Sequence, residues 1–312
     1  MHYGVGMLPN EDDARVAVAA QFRREFAFAR EVLDHCVAVV NRDRLRVEKR
    51  RGLNDTVLFV ALGLYTKACK QARSILTLCE GGLGEDAHAL TRALFETTLA
   101  LNFILRPRVT IRRGGIRLPP VSGKPLTTGF RADLYLARFV VERNLMVQDL
   151  ARTPGWKRTA NKIDRASLAS EAAKTAQSIG PEWTKRLKQS RTYSGVSLRD
   201  TAFSLGYGQA WVVLYRTGSW STHANDIEQY VTLRETSPTD PTLVPEIYLQ
   251  PGPAWVPQAL IASAGLLVDC LSLLNSRFGL RHGAWMASHE RRVATWRLSQ
   301  GEPKGKRTRL KI

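Results

Sequence analysis

The sequence predicts an all-α protein, a multi-helix bundle with long Pro- and Gly-rich loops and a basic, disordered C-terminal tail. Three observations lead there. Apolar residues recur at three- and four-residue spacing over long stretches. Gly and Pro punctuate the chain between those stretches. Hydrophobic residues make up 44% of the 312, enough for a large core.

The elements follow in order. Residues 11–51 read as one long helix, with Glu11, Asp12 and Asp13 suited to its N-terminus and arginines gathered at its C-terminal end. Its apolar stripe is Phe22, Phe26, Ala29, Leu33, Val37 and Val40. A second helix runs from Asp55 to Glu80 and stops at Gly81-Gly82. A third covers about 84–105, with Leu90, Leu94, Thr97 and Leu101 as core. On that helix His88, Arg92 and Glu96 repeat every four residues and form a second, polar stripe. Arg92 and Glu96 either pair within the helix or connect to a polar face elsewhere.

Pro107 ends the third helix. The loop at 107–129 contains VTIRRGGIRL, whose alternation around Gly-Gly suits a small hairpin. A fourth helix spans about 130–153 and offers Leu134, Leu136, Phe139, Val140, Leu145 and Leu150. Residues 157–179 read as a surface helix, and Pro181 opens the short PEWTKRLKQS helix. Ser197 caps another short helix that turns at Gly206 and Gly208. This segment resembles half a helix-turn-helix, but apolar WVVLY follows where a polar recognition helix belongs. One helix is expected over 209–233. Six prolines between 236 and 257 predict a long loop. A core helix at about 255–278 closes at Gly279, and 284–298 forms a last amphipathic helix. Residues 1–280 are expected to form a single domain, with 281–312 a basic helix and tail.

The net charge of +18 and pI near 10.2 favour a polyanionic partner. The excess is local, because residues 107–200 carry 19 basic against 7 acidic residues. Within that segment Arg108, Arg112, Arg113 and Arg117 form a basic run suited to phosphate. The cysteines Cys36, Cys69, Cys79 and Cys270 include no C-x-x-C pair and read as reduced core thiols. The N-terminus lacks the basic and apolar regions of a signal peptide, and the apolar stretch 254–274 contains Asp269. A soluble, cytoplasmic protein without membrane contact is expected. No P-loop, dinucleotide fingerprint, H-E-x-x-H or zinc-spaced Cys/His cluster occurs, so neither cofactor nor metal is expected.

The chemistry concentrates in WVVLYRTGSWSTHANDI, 211–227. On an α-helix, Arg216, Ser219 and His223 share one face, with Tyr215 and Asn225 close by. The string Y-R-x-x-S-x-x-x-H-A-N and the earlier GEDAHALTRALFETTLALNFIL resemble a bacterial domain-of-unknown-function family, number 5677. The resemblance covers about 55–235. It carries over Arg92 and Glu96 from the first motif and Tyr215, Ser219, His223 and Asn225 from the second. Gly218 stands where an apolar residue is expected and costs a helix about 1 kcal/mol. That family implies no activity.

Arg216 and His223, separated by six residues, also resemble the Arg-to-His signature of the HEPN superfamily, all-α proteins that include metal-independent RNases. The resemblance implies that His223 is general acid or base on the RNA 2′-hydroxyl or leaving oxygen. Arg216 would neutralise charge building on the phosphate. Such sites form between two protomers, which implies a homodimer and a role in phage defence or stress response. Two alternatives stay open. The same residues can be a satisfied polar core, or the protein can bind nucleic acid or another partner without cleaving it.

Overall fold

The computed structural model describes residues 11–48, 55–117, 126–153, 155–156, 163–216, 231–237, 240–247 and 254–299. They form a multi-helix all-α bundle with two small hairpins. The helices are α1 (Glu11–Gln21), α2 (Arg23–Glu48), α3 (Asp55–Glu80), α4 (Gly84–Leu105), α5 (Thr128–Arg152), α6 (Arg165–Ile179), α7 (Pro181–Ser190), α8 (Leu198–Ser204), the single turn α9 (Gly208–Ala210), α10 (Val256–Phe278) and α11 (Gly283–Ser299). Strands β1 (Arg112–Arg113) and β2 (Ile116–Arg117) make one antiparallel hairpin, and β3 (Val231–Ser237) and β4 (Asp240–Ile247) the other.

The expected first helix is two, broken at Phe22, although the amide of Phe22 still bonds to Val18 and that of Phe26 to Phe22, both at 3.0 Å. Capping follows the sequence closely. The side chains of Thr127, Asp164 and Ser197 accept from Phe130, Ser167 and Asp200 amides at the starts of α5, α6 and α8. Pro181 opens α7, and Gly279 closes α10 at φ 62°.

Two expectations are overturned. Residues 231–233, assigned to a helix, are the start of β3, and the Pro-rich loop expected after 236 contains β4. The prolines misled because they exclude a helix but not the edge of a sheet. In a two-stranded ribbon each strand has one side without a ladder, so Pro241 and Pro245 fit there; Pro245 lies opposite Leu233. The second correction concerns α5. Phe139 is exposed, and Leu134, Ala137, Val141 and Val147 are buried. The buried face takes in Arg131, Ala132 and Leu134 as well as the smaller Ala137, Val141 and Val147, and leaves Phe139 out.

The described residues fall into two compact units, one within Met1–Arg46, Cys69–Leu94 and Trp220–Ile312, the other within Val47–Ala68 and Phe95–Ser219. In the first, α2 packs on α11 through a ring stack. Trp285 lies between His35 and His289, with centroids 3.8 Å away on each side. Glu31 closes this junction by accepting from Arg292 at 2.7 Å and meeting His289 at 2.9 Å. The start of α4 meets the start of α10 backbone to backbone. A Cβ on Gly84 would fall 1.9 Å from the Ala254 carbonyl oxygen. Next to that contact, Trp255 takes a left-handed φ of 61° and stacks its ring on His88 at 4.6 Å.

All four cysteines are free thiols and buried. Helix α10 is long and apolar enough to cross a membrane by length and composition, and 56% of its apolar window is buried in the protein. Burial of that share, including Leu260, Ala264, Leu267 and Leu271, marks it as a core helix of the first unit.

Candidate nucleic-acid interface

The second unit carries the basic hairpin. The Gly114-Gly115 turn has φ of +55° and +86°. Both central residues of a two-residue type I′ turn need positive φ, which Gly-Gly supplies without strain. The register sets Arg112 opposite Arg117 and Arg113 opposite Ile116, and all four side chains are exposed. Like charges directly opposite one another destabilise a hairpin, and a two-stranded ribbon is marginal by itself.

Helix α8 holds it instead. The Arg112 amide donates to Ser204 Oγ at 2.9 Å, and the Gly114 amide donates to Asp200 Oδ1 at 3.1 Å. Ser197 donates its hydroxyl to the other oxygen, Asp200 Oδ2, at 2.7 Å. The anchoring carboxylate is thus engaged on both oxygens, by a backbone amide and by a serine hydroxyl. Behind the hairpin, Ile111 is buried and Arg106 donates to the Leu205 carbonyl at 2.8 Å. Arg108 is exposed in the segment leading into β1.

One functional-looking residue had no sequence signal beyond its place at the start of an apolar helix. Arg131 of α5 is fully buried. It donates to the carbonyls of Ile104 and Arg106, and its guanidinium lies 5.9 Å from the Phe103 ring centre. A cation at the carbonyl end of α4 meets the negative end of the helix dipole. The role is structural.

The polar stripe of α4 divides between different surroundings. His88 is 1% exposed, and burial lowers its pKa below the ordinary value, so it is a neutral core ring. Arg92 is half-buried. Glu96 belongs with two tyrosines. Burial, then the Tyr135 phenol and the Glu96 carboxylate, push the Tyr193 hydroxyl well above its ordinary value. Burial raises Tyr135 itself to about 12. Further along α4, Asn102 donates to the Tyr207 hydroxyl at 3.3 Å.

As far as it is described, to Arg216, the stretch after Tyr207 is helical but not a regular α-helix. Beyond α9 the chain widens into a π-helical segment, Trp211–Arg216, in which the Trp211 and Tyr215 rings stack at 3.8 Å. Bonding from i to i+5 changes the angular phase of every residue relative to an α-helix. The shared face expected for Arg216, Ser219 and His223 assumed α-helical phase. Arg216 is the last residue of the π segment. Ser219, His223 and Asn225, like Gly218, lie outside the described residues. Among the described residues no three His, Cys, Asp or Glu side chains are grouped to hold a metal.

No curated protein and no solved structure matches the chain. A family model described as a family of unknown function, DUF5677, matches residues 58–238. The match takes in α4, the arginine hairpin, α5 to α9 and the π segment, more than half of the chain. The protein belongs to this family.

Proposed function

We propose that the protein binds RNA through the arginine hairpin. The observation that carries this reading is the pairing of Arg112 with Arg117 across β1 and β2, both exposed. Such a pair weakens the hairpin, and α8 has to hold it in place. An anion gains what the fold loses, because a phosphate between two guanidiniums relieves their repulsion and takes charge-assisted hydrogen bonds. The net charge of 107–200 supports the same reading.

The finer form is a HEPN-like, metal-independent endoribonuclease in a homodimer. It is supported by the spacing of Arg216 and His223 and by the π segment, a device common at functional sites. The non-enzymatic form, binding without cleavage, is favoured by the exposed arginines of the hairpin, which need no catalytic partner to take a phosphate.

One experiment separates these forms. Labelled RNA is titrated with the protein in excess EDTA, and binding and chain scission are read together. Binding that fails in an R112A/R113A/R117A variant supports the interface. Scission lost in His223→Ala with binding retained supports the nuclease. Binding with no scission leaves the non-enzymatic form, and no binding at low salt ends the proposal.

A further inference from the structure

We infer that Phe203 is a stacking platform for an unpaired base, so that the RNA taken at the hairpin is single-stranded; this rests on the RNA-binding reading above. Phe203 is 52% exposed at the last turn of α8. A Cβ on Gly208 would fall 2.8 Å from Phe203 Cε1 and 2.9 Å from Cδ1, so the absence of a side chain at Gly208 makes room for the ring. The Arg199 guanidinium, one turn earlier on α8, lies over the ring at 5.6 Å from its centre, so a base stacking there takes the place of the guanidinium and releases it to a phosphate.

The ring also stands beside the arginines. The residue after Phe203 is Ser204, whose hydroxyl oxygen accepts from the Arg112 amide at 2.9 Å. The aromatic ring and the basic hairpin therefore share one anchor. On the hairpin, Ile116 adds an apolar side chain 74% exposed. Arg112 and Arg117 share one face of the hairpin, and the strand whose phosphate they take is the one whose base would meet Phe203. Base stacking on an aromatic face tolerates any sequence, and a guanidinium can stack on a base plane or pair with a phosphate. In a duplex the base faces are already stacked on each other, so a platform outside the helix has nothing to take. The one acidic side chain in the anchor, Asp200, spends both oxygens on the Gly114 amide and the Ser197 hydroxyl, leaving the approach to an anion open.

The test compares an oligouridine of about ten nucleotides with a duplex of equal length, using full-length protein in EDTA at fixed salt. Phe203→Ala is expected to weaken single-strand binding about tenfold while changing duplex binding less than twofold. Phe203→Leu, which keeps apolar bulk without a π face, is expected to behave like Phe203→Ala, and Phe203→Trp to bind at least as tightly as the wild type. A 2-aminopurine placed in the oligonucleotide is quenched by wild type and not by Phe203→Leu. Equal loss for single strand and duplex, or full single-strand binding by both Phe203→Ala and Phe203→Leu, overturns the inference while the interface survives. If wild type binds neither probe, the RNA-binding reading has failed instead.

Discussion

Glu31 meets His289 at 2.9 Å across the junction of α2 and α11, and the other ring nitrogen of His289 lies 2.8 Å from the Trp285 carbonyl. A carbonyl only accepts, so the nitrogen facing Trp285 donates to it. Burial raises the Glu31 carboxyl, but bonds from Arg292 and His289 outweigh it and leave the pKa below its ordinary 4.5. A carboxyl depressed in the folded state contributes stability above 4.5 that is lost as pH falls through the folded value. Glu31 is half exposed, so the effect is small. Glu31→Gln should lower Tm by no more than about 2 °C at neutral pH. Thermal melts should show that deficit shrinking as the pH is taken below 4.5, and a deficit unchanged in acid contradicts the assignment.

The alkaline limb has the opposite sign. Burial lifts Cys79 from 9.0 to about 12 and Tyr135 from 10.0 to about 12. Groups raised in the folded state stabilise it below their unfolded values, and that stability is lost as pH climbs toward the folded ones. Unfolding in urea should therefore need less denaturant from about pH 9 upward. Tyr135→Phe should flatten the decline above pH 10. Among the described residues the buried Tyr193 hydroxyl has no hydrogen-bond partner, so Tyr193→Phe should be neutral or stabilising by about 1 kcal/mol at pH 7.

Two glycines make a matched pair. Gly84→Ala drives a methyl into the Ala254 carbonyl and should cost about 3 kcal/mol or more. Gly63 lies exposed in the middle of α3 with nothing within 4 Å of a Cβ. Gly63→Ala should stabilise by roughly 0.5 to 1 kcal/mol. Chemical denaturation of both variants measures the difference, and equal effects would remove the close approach as an explanation.

The hairpin arginines separate stability from binding. Arg112→Ala or Arg117→Ala removes a like-charge neighbour, so each variant should melt at or slightly above the wild-type temperature. Each should also weaken RNA binding and reduce the salt slope by about one. A variant that melts well below wild type would mean that the arginines are structural.

Much of the fold could be read from periodicity and punctuation, with α3, α4, α10 and the Gly-Gly hairpin falling where these put them. Two kinds of feature could not. The β3–β4 hairpin was hidden by Pro241 and Pro245, although the run Val231, Thr232 and Leu233 carried a strand signal. The π segment at Trp211–Arg216 carries no compositional signal that sets it apart from an apolar α-helix. The candidate interface was half legible. Its arginines stood out as a run, but Asp200 and Ser204 meet the hairpin only through folding, about ninety residues downstream. No local pattern reveals such a partner.

The contact at Gly84 also bears on how the chain is made. The Cys79 thiol reaches the Val256 carbonyl at 3.9 Å, 177 positions away, and Gly84 lies against the same turn. On the ribosome the α3–α4 corner emerges long before its counterpart, and it must stay open until the C-terminal third has been translated. Any stop codon upstream of α10 therefore leaves that corner without a lid, with its thiol and its missing side chain turned to solvent or to a chaperone.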